Sequence, residues 1–325
     1  MSKAKKRRTS AKKNVYQQVT DTIIELLEGQ LEGWKRPWLV FGQDGDYARN
    51  ATSRAYYRGI NQFLLGFAMM KGDFFKSNWL TYKQAQALGG HVRKGEKGQA
   101  IAFYKTAYID EAGKYYGKDT YDQLSEGQRQ NLGVKVIPML KLYTVFNVAQ
   151  TEGLDPIHYA VQASEPLQDI ERDDRAEALI RATGAQIEIT ESNRAYYDRS
   201  RDLIKLPLRE QFRGVAENFY ATALHELVHW SGAEHRLNRP FGKTFGDSQY
   251  AKEELIAELG AAFCSAALGF EHSITNSAAY LQSWIGILKA DNRAILRIAA
   301  RAQRAADYLL KDTPYEIERV QPTAE

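Results

Sequence analysis

Two neighbouring segments limit this chain more than anything else in it. The first is ENFYATALHELVHWSG, a run of helical pattern in which His225 and His229 stand four residues apart. On a helix, residues four apart share a face, so both imidazoles can reach one ion. Glu226 follows the first histidine, where its carboxylate can lean over that ion and serve as general base for a bound water. The second segment is AKEELIAELGAAF at 251–263, also strongly helical, with Asp247 or Ser248 placed to cap it. A metal site that draws on both segments needs the two helices packed against each other.

HExxH alone is short enough to arise by chance, and a catalytic zinc needs a third protein ligand. His235 is one candidate, because HELVHWSGAEH fits the metzincin spacing, with Gly232 letting the chain turn back. That class also requires a downstream methionine turn, and Met1, Met69, Met70 and Met139 all precede the motif. The second candidate is a glutamate of the next helix. Glu254 and Glu258 share a face, so one can bind the ion while the other orients a ligand histidine through a hydrogen bond. Glu254 as ligand and Glu258 behind a histidine is the favoured arrangement; Glu253 and His235 stay open. Small residues at Ala257, Ala261 and Ala262 suit close helix contact. Tyr250 is placed to add a hydrogen bond to a developing oxyanion.

The charge is divided along the chain. Residues 1–150 carry 24 Lys and Arg against 13 Asp and Glu, a net of +11, whereas 151–325 carry 20 against 27, a net of −7. A polyanion is the natural partner of the first half. Seven of its cations lie in residues 1–13, read as a disordered basic tail that tracks phosphates or simply keeps the chain soluble. The same half holds 21 aromatics, several interleaved with cations. Single-strand binders combine cationic grooves with aromatic stacking platforms. Trp34, Lys35, Arg36, Trp38, Tyr56 and Arg58 are the candidates near Pro, Gly and charge. Arg93, Lys94 and Lys97 sit on a glycine turn that can offer cations and N–H groups to phosphates. Phe63, Phe67, Phe103, Phe146 and Trp79 read as core.

The periodicity predicts helices over 15–32, 60–72, 79–88 and 171–183, strands at 99–109, 134–148 and 186–190, and a hairpin over 194–207 turning at 198–202. The polar residues between the two long strands read as an insertion or mobile loop. Pro156 and Pro166 lie in a linker at 151–170, dividing a domain at 14–150 from one at 171–325. The fold class is α+β, a mixed N-terminal domain joined to a mainly helical zinc domain with a small sheet. The single cysteine, Cys264, excludes an internal disulfide; no run reaches the ~18 apolar residues of a membrane span, and no secretory leader is visible. A cytoplasmic location follows as the expectation.

Several strings together resemble one family: Tyr57-Arg58-Gly59-Ile60-Asn61, WLTYKQA at 79–85, GGHVRKGEKG at 89–98, VFNVAQ at 145–150, HELVHWSG, Arg236-Leu237-Asn238-Arg239 and EELIAE. They are similar to those of ArdC-type antirestriction proteins, over nearly all of 14–311. The resemblance implies an N-terminal domain binding single-stranded DNA and a C-terminal zincin-like (gluzincin) metallopeptidase domain. It also implies protection of transferred DNA of mobile elements from host restriction; single-stranded DNA is the expected partner, and a protein substrate among restriction or other DNA-bound host proteins is a candidate second one. EELIAE is also similar to the third-ligand helix of anthrax lethal factor, which favours Glu254. Zn2+ is the expected metal, with Mn2+ or Co2+ acceptable to the same ligands. Two further readings stay beside it: a DNA-shielding protein with a structural zinc site, and a protease of DNA–protein crosslinks.

Overall fold

A computed structural model describes residues 14–31, 48–72, 74, 76–159, 173–212, 216–242, 247–269 and 278–316. The N-terminal module begins with α1 (Val15–Leu31), β1 (Arg49–Asn50) and α2 (Ile60–Gly72), followed by β2 (Asn78–Leu80) and α3 (Tyr82–Ala87). Thr81 starts α3 with a capping box, its hydroxyl accepting from Gln84 N–H while the Gln84 side chain accepts from Thr81 N–H. The predicted helix at 79–88 is thus shorter at its start, because Trp79 and Leu80 are buried strand residues.

Next come β3 (His91–Val92), β4 (Gln99–Ile109), β5 (Tyr115–Tyr116), α4 (Lys118–Gln123), α5 (Glu126–Asn131), β6 (Lys135–Asn147) and β7 (Thr151–Glu152). Strands β4 and β6 form a continuous antiparallel ladder from Gln99↔Val145 to Ile109↔Lys135, within a sheet of order β1-β2-β6-β4-β5. The polar stretch between them is a folded tip and not a loop. Ser125 and Gln128 close a capping box on α5, Tyr108 stacks on Tyr121 at 4.0 Å, and Arg129 lies 4.3 Å over the same ring. The expected linker also starts later than 151. β7 pairs with β3, and the Tyr159 hydroxyl lies 3.3 Å from that of Thr151, so residues 151–159 fold back on the N-terminal module.

The second module contains α6 (Asp174–Ala182), β8 (Gln186–Thr190), β9 (Tyr196–Asp198), β10 (Leu203–Pro207), α7 (Ala216–Ser231), α8 (Ser248–Ala267), α9 (Ala278–Ala290) and α10 (Ala294–Leu310). The predicted hairpin forms, Leu203 facing Asp198 and Lys205 facing Tyr196, while β8 runs parallel to β10 and leaves β9 as an edge. Both modules share the α+β character expected, the second being mainly helical with this small sheet.

One hydrophobic core crosses from module to module. Val19, Ile23 and Leu27 of α1 and Phe63 of α2 are buried with Leu255 of α8, Trp284 of α9 and Ile298 of α10. The rings of Phe63 and Phe263 meet at 5.0 Å. Polar ties reinforce the seam: Thr20 Oγ1 donates to Asn292 O (2.8 Å), Gly59 N–H donates to Gln303 Oε1 (2.9 Å), and Arg58 pairs with Asp307.

Candidate metal centre

Helices α7 and α8 pack closely because α8 is lined by small residues. A Cβ on Gly260 would lie 2.8 Å from Val228 Cγ2, so nothing larger than glycine fits there without movement. That approach sets the polar faces of the two helices against each other. His225 and His229 project from α7, Glu254 and Glu258 from α8, and one ligand atom from each of His225, His229 and Glu254 lies within 4.8 Å of the others.

The pairwise distances are short. Nε2 of His225 is 3.1 Å from Nε2 of His229, and the Glu254 oxygens are 3.7 Å and 3.5 Å from those two atoms. Behind each ring stands a carboxylate: Glu258 Oε1 is 3.3 Å from His225 Nδ1, and Glu253 Oε1 is 3.3 Å from His229 Nδ1. In the neutral rings, Nδ1–H donates to the carboxylate behind it, which leaves both Nε2 lone pairs aimed at one point. Three electron-pair donors facing one another call for a positive charge between them. Ligands ~2.0–2.1 Å from a tetrahedral ion lie roughly 3.3 Å apart, so the donor set fits a divalent cation. The same field acts on protons. Burial disfavours a charged His225, but Glu258, Glu226 and Glu254 outweigh it and push its pKa up to about 10.

Arg239 completes this arrangement from a loop. Its Nε and Nη2 donate to both Glu253 oxygens at 2.7–3.2 Å, and Nη1 donates to Ser231 Oγ (3.0 Å), all of it buried. Burial would raise the Glu253 carboxyl, but His229 and Arg239 together hold it below its ordinary value. Gly232 matters here for a reason its spacing did not suggest. A Cβ on it would stand 2.7 Å from Arg239 Nη2, so the glycine leaves room for the guanidinium. Asn238, at φ 48°, turns the chain back to bring Arg239 in.

Glu226 is 7% exposed and next to His225 on α7. Tyr250 and Tyr280 meet at 3.2 Å through their hydroxyls; burial, then Tyr280 and Glu254, push the Tyr250 phenol up and keep it a proton donor. His235 stands apart. Its side chain is 65% exposed and its Nε2 lies 3.5 Å from Asp202, so it does not reach the paired histidines. Glu253 is likewise behind His229 and not among the three converging ligand atoms. Sequence reasoning missed Arg239 and Tyr280, which arrive from other segments.

Only some of the nucleic-acid candidates lie among the described residues. Trp34, Lys35, Arg36 and Trp38, like the basic tail, lie outside the described residues. Tyr56 is 37% exposed. Arg58 is engaged with Asp307 on α10, so its charge is answered within the protein. Arg93 donates to Glu96 (2.7 Å), which also accepts from Gln150 (2.9 Å); this fixes a turn with Gly95 at φ 92° and exposes Lys94 and Lys97.

Residues 13–146 match the family described as the N-terminal domain of anti-restriction factor ArdC, and residues 174–301 match a zincin-like metallopeptidase family. The metal-free crystal structure of antirestriction ArdC protein from the R388 plasmid is similar with a TM-score of 0.73 and 36% identity, over 92% of this chain and 97% of that one. This chain belongs to the ArdC family. The Mn(II)-bound ArdC structure gives a TM-score of 0.69 and 34% identity, over 95% and 100% of the two chains. This chain is also similar to a DNA primase TraC of Escherichia coli, 37% identical over 303 residues; the match spans 92% of this chain but only 27% of that primase. Protein y4eC of Sinorhizobium fredii (strain NBRC 101917 / NGR234) is 35% identical, over 91% of both chains. A divalent metal in an ArdC-type zincin-like domain therefore agrees with the donor set described above. No helix among the described residues is long and apolar enough to cross a membrane.

Proposed function

We propose that this protein is a cytoplasmic antirestriction factor in which a zinc peptidase centre is carried to its targets by single-stranded DNA. The observation that carries the reading is the convergence of His225, His229 and Glu254, with Glu226 beside them. Two imidazoles and one carboxylate form the ligand set of a zinc peptidase. When bound, the divalent ion supplies Lewis-acid polarisation of a carbonyl and lowers the pKa of a coordinated water. Glu226 takes the proton of the attacking water and passes it to the leaving amine. Tyr250 donates to the carbonyl oxygen as negative charge develops. Glu253 and Glu258 keep the two imidazoles in the liganding tautomer. The β9 edge offers an extended peptide a strand to pair with. Lys94, Lys97 and Tyr56 contribute to holding DNA, as do Trp34, Lys35, Arg36 and Trp38.

The test is Glu226→Gln. The variant keeps metal and DNA binding, loses proteolysis by about 100- to 10,000-fold, and no longer lets transferred DNA escape restriction. Full protection by this variant would replace the enzyme with a protein that shields DNA directly. Proteolysis of a covalent DNA–protein adduct with no effect on restriction would instead identify a crosslink protease.

A further inference from the structure

Helix α10 lies in the acidic half of the chain, yet its outer face is cationic. Arg297, Arg301 and Arg304 lie on it and Arg293 immediately before it. At 3.6 residues per turn, Arg293, Arg297 and Arg304 fall within an arc of about 40° along the helix, and all three are exposed. The opposite face, with Ile295, Ile298, Ala302 and Leu309, is buried. Of the acids near this line, Asp307 pairs with Arg58, and Asp291 pairs with Arg297 and answers its charge; Arg293 and Arg304 are the cations the line presents outward.

The line of arginines begins and ends at aromatic rings. At its start, Arg293 lies 4.6 Å over Tyr16 of α1. Tyr104 of β4 hydrogen-bonds Tyr16, senses the charges of Arg293 and Arg297, and remains 58% exposed. At the far end stands Tyr308, 37% exposed, its ring 6.3 Å from that of Trp230. From residue 293 to 308 the helix rises about 22 Å. At ~3.4 Å per nucleotide of a stacked strand, that accommodates about six phosphates.

We propose that the outer face of α10, with Tyr104 and Tyr308, is a binding surface for single-stranded DNA that continues from the N-terminal module onto the metal domain. Arginines answer phosphates and exposed rings take bases, which only an unpaired strand presents. The surface would lead a bound strand across the seam, from Tyr16 and Tyr104 to the end of α10 beside Trp230, the residue after His229. This inference rests on the DNA-binding part of the reading above and is independent of peptidase activity.

The test uses the full chain, a fluorescent oligothymidine probe and a salt series. In Arg293→Gln/Arg304→Gln, affinity falls and the slope of log K against log salt drops by about 1.4, from ~0.7 per lost contact to single strands. Tyr104→Ala weakens binding about tenfold with the slope unchanged. All three side chains are exposed, so the thermal midpoint stays at the wild-type value. If wild type binds the probe and the double variant matches it in affinity and slope, the α10 surface is overturned while DNA binding stands. If wild type does not bind, both are overturned. If duplex competes as well as single strand, the assignment to unpaired DNA is wrong.

Discussion

Helix α8 and strand β6 solve opposite problems. Of the 20 residues of α8, 13 are buried, including Glu253; of the 13 in β6, only Leu140, Val145 and Asn147 are. Around α8, every polar group must find a partner without water, and Glu253 does so through Arg239 and His229. Along β6, Val136, Ile137 and Met139 face solvent, held by a backbone ladder and not by packing. A site that fixes an ion needs the first kind of region; a surface that meets a flexible polymer can use the second.

Removing the cation from the buried pair gives the largest expected effect. Arg239→Met leaves Glu253 charged and buried, which costs ~3–5 kcal/mol in denaturant unfolding of the metal-free protein. Arg239→Met/Glu253→Gln recovers a large part of that stability, because no net charge is then stranded, but still binds metal more weakly since His229 loses its anionic support. If the single variant unfolds like wild type, the contrast between α8 and β6 fails.

An intermediate effect is expected where the two styles meet. Asp202 accepts from Tyr197 (2.6 Å) and Arg236 (3.0 Å), tying the β9–β10 hairpin to the segment after α7, and is half exposed. Arg236 first, against burial, then Tyr197, hold its carboxyl at about 2. A depressed carboxyl stabilises the fold above its unfolded pKa and loses that contribution as pH falls through about 2. The difference in thermal midpoint between wild type and Asp202→Asn therefore shrinks from pH 5 to pH 2. A difference that stays constant would show that the ionised form contributes nothing.

The smallest effect belongs to the ladder. Met139→Thr, at a side chain 42% exposed, changes unfolding free energy by less than ~0.5 kcal/mol. A larger loss would mean that β6 is covered by packing of its own.

What was legible in the sequence follows the same division. His225 with His229 and Glu254 with Glu258 could be read because a helix places residues four apart on one face. Glu254 over His235 followed from a missing methionine turn and the family resemblance. Arg239 could not be read, because it reaches Glu253 only after Asn238 turns the chain, a contact that depends on two helices already being packed. The tip between β4 and β6 was legible in part: Ser125 and Gln128 have capping-box spacing, but a six-residue helix has too few apolar positions to show a period. The arginines of α10 have visible spacing; their position beside Tyr104 depends on the seam.

That seam has a consequence for how such a chain can be inherited. Since α1 and α2 bury their apolar sides against α8, α9 and α10, a cut between the modules would strip oily surface from both pieces at once. A gene carrying one piece without the other would encode an aggregation hazard, so joint inheritance of the pair is the expected outcome.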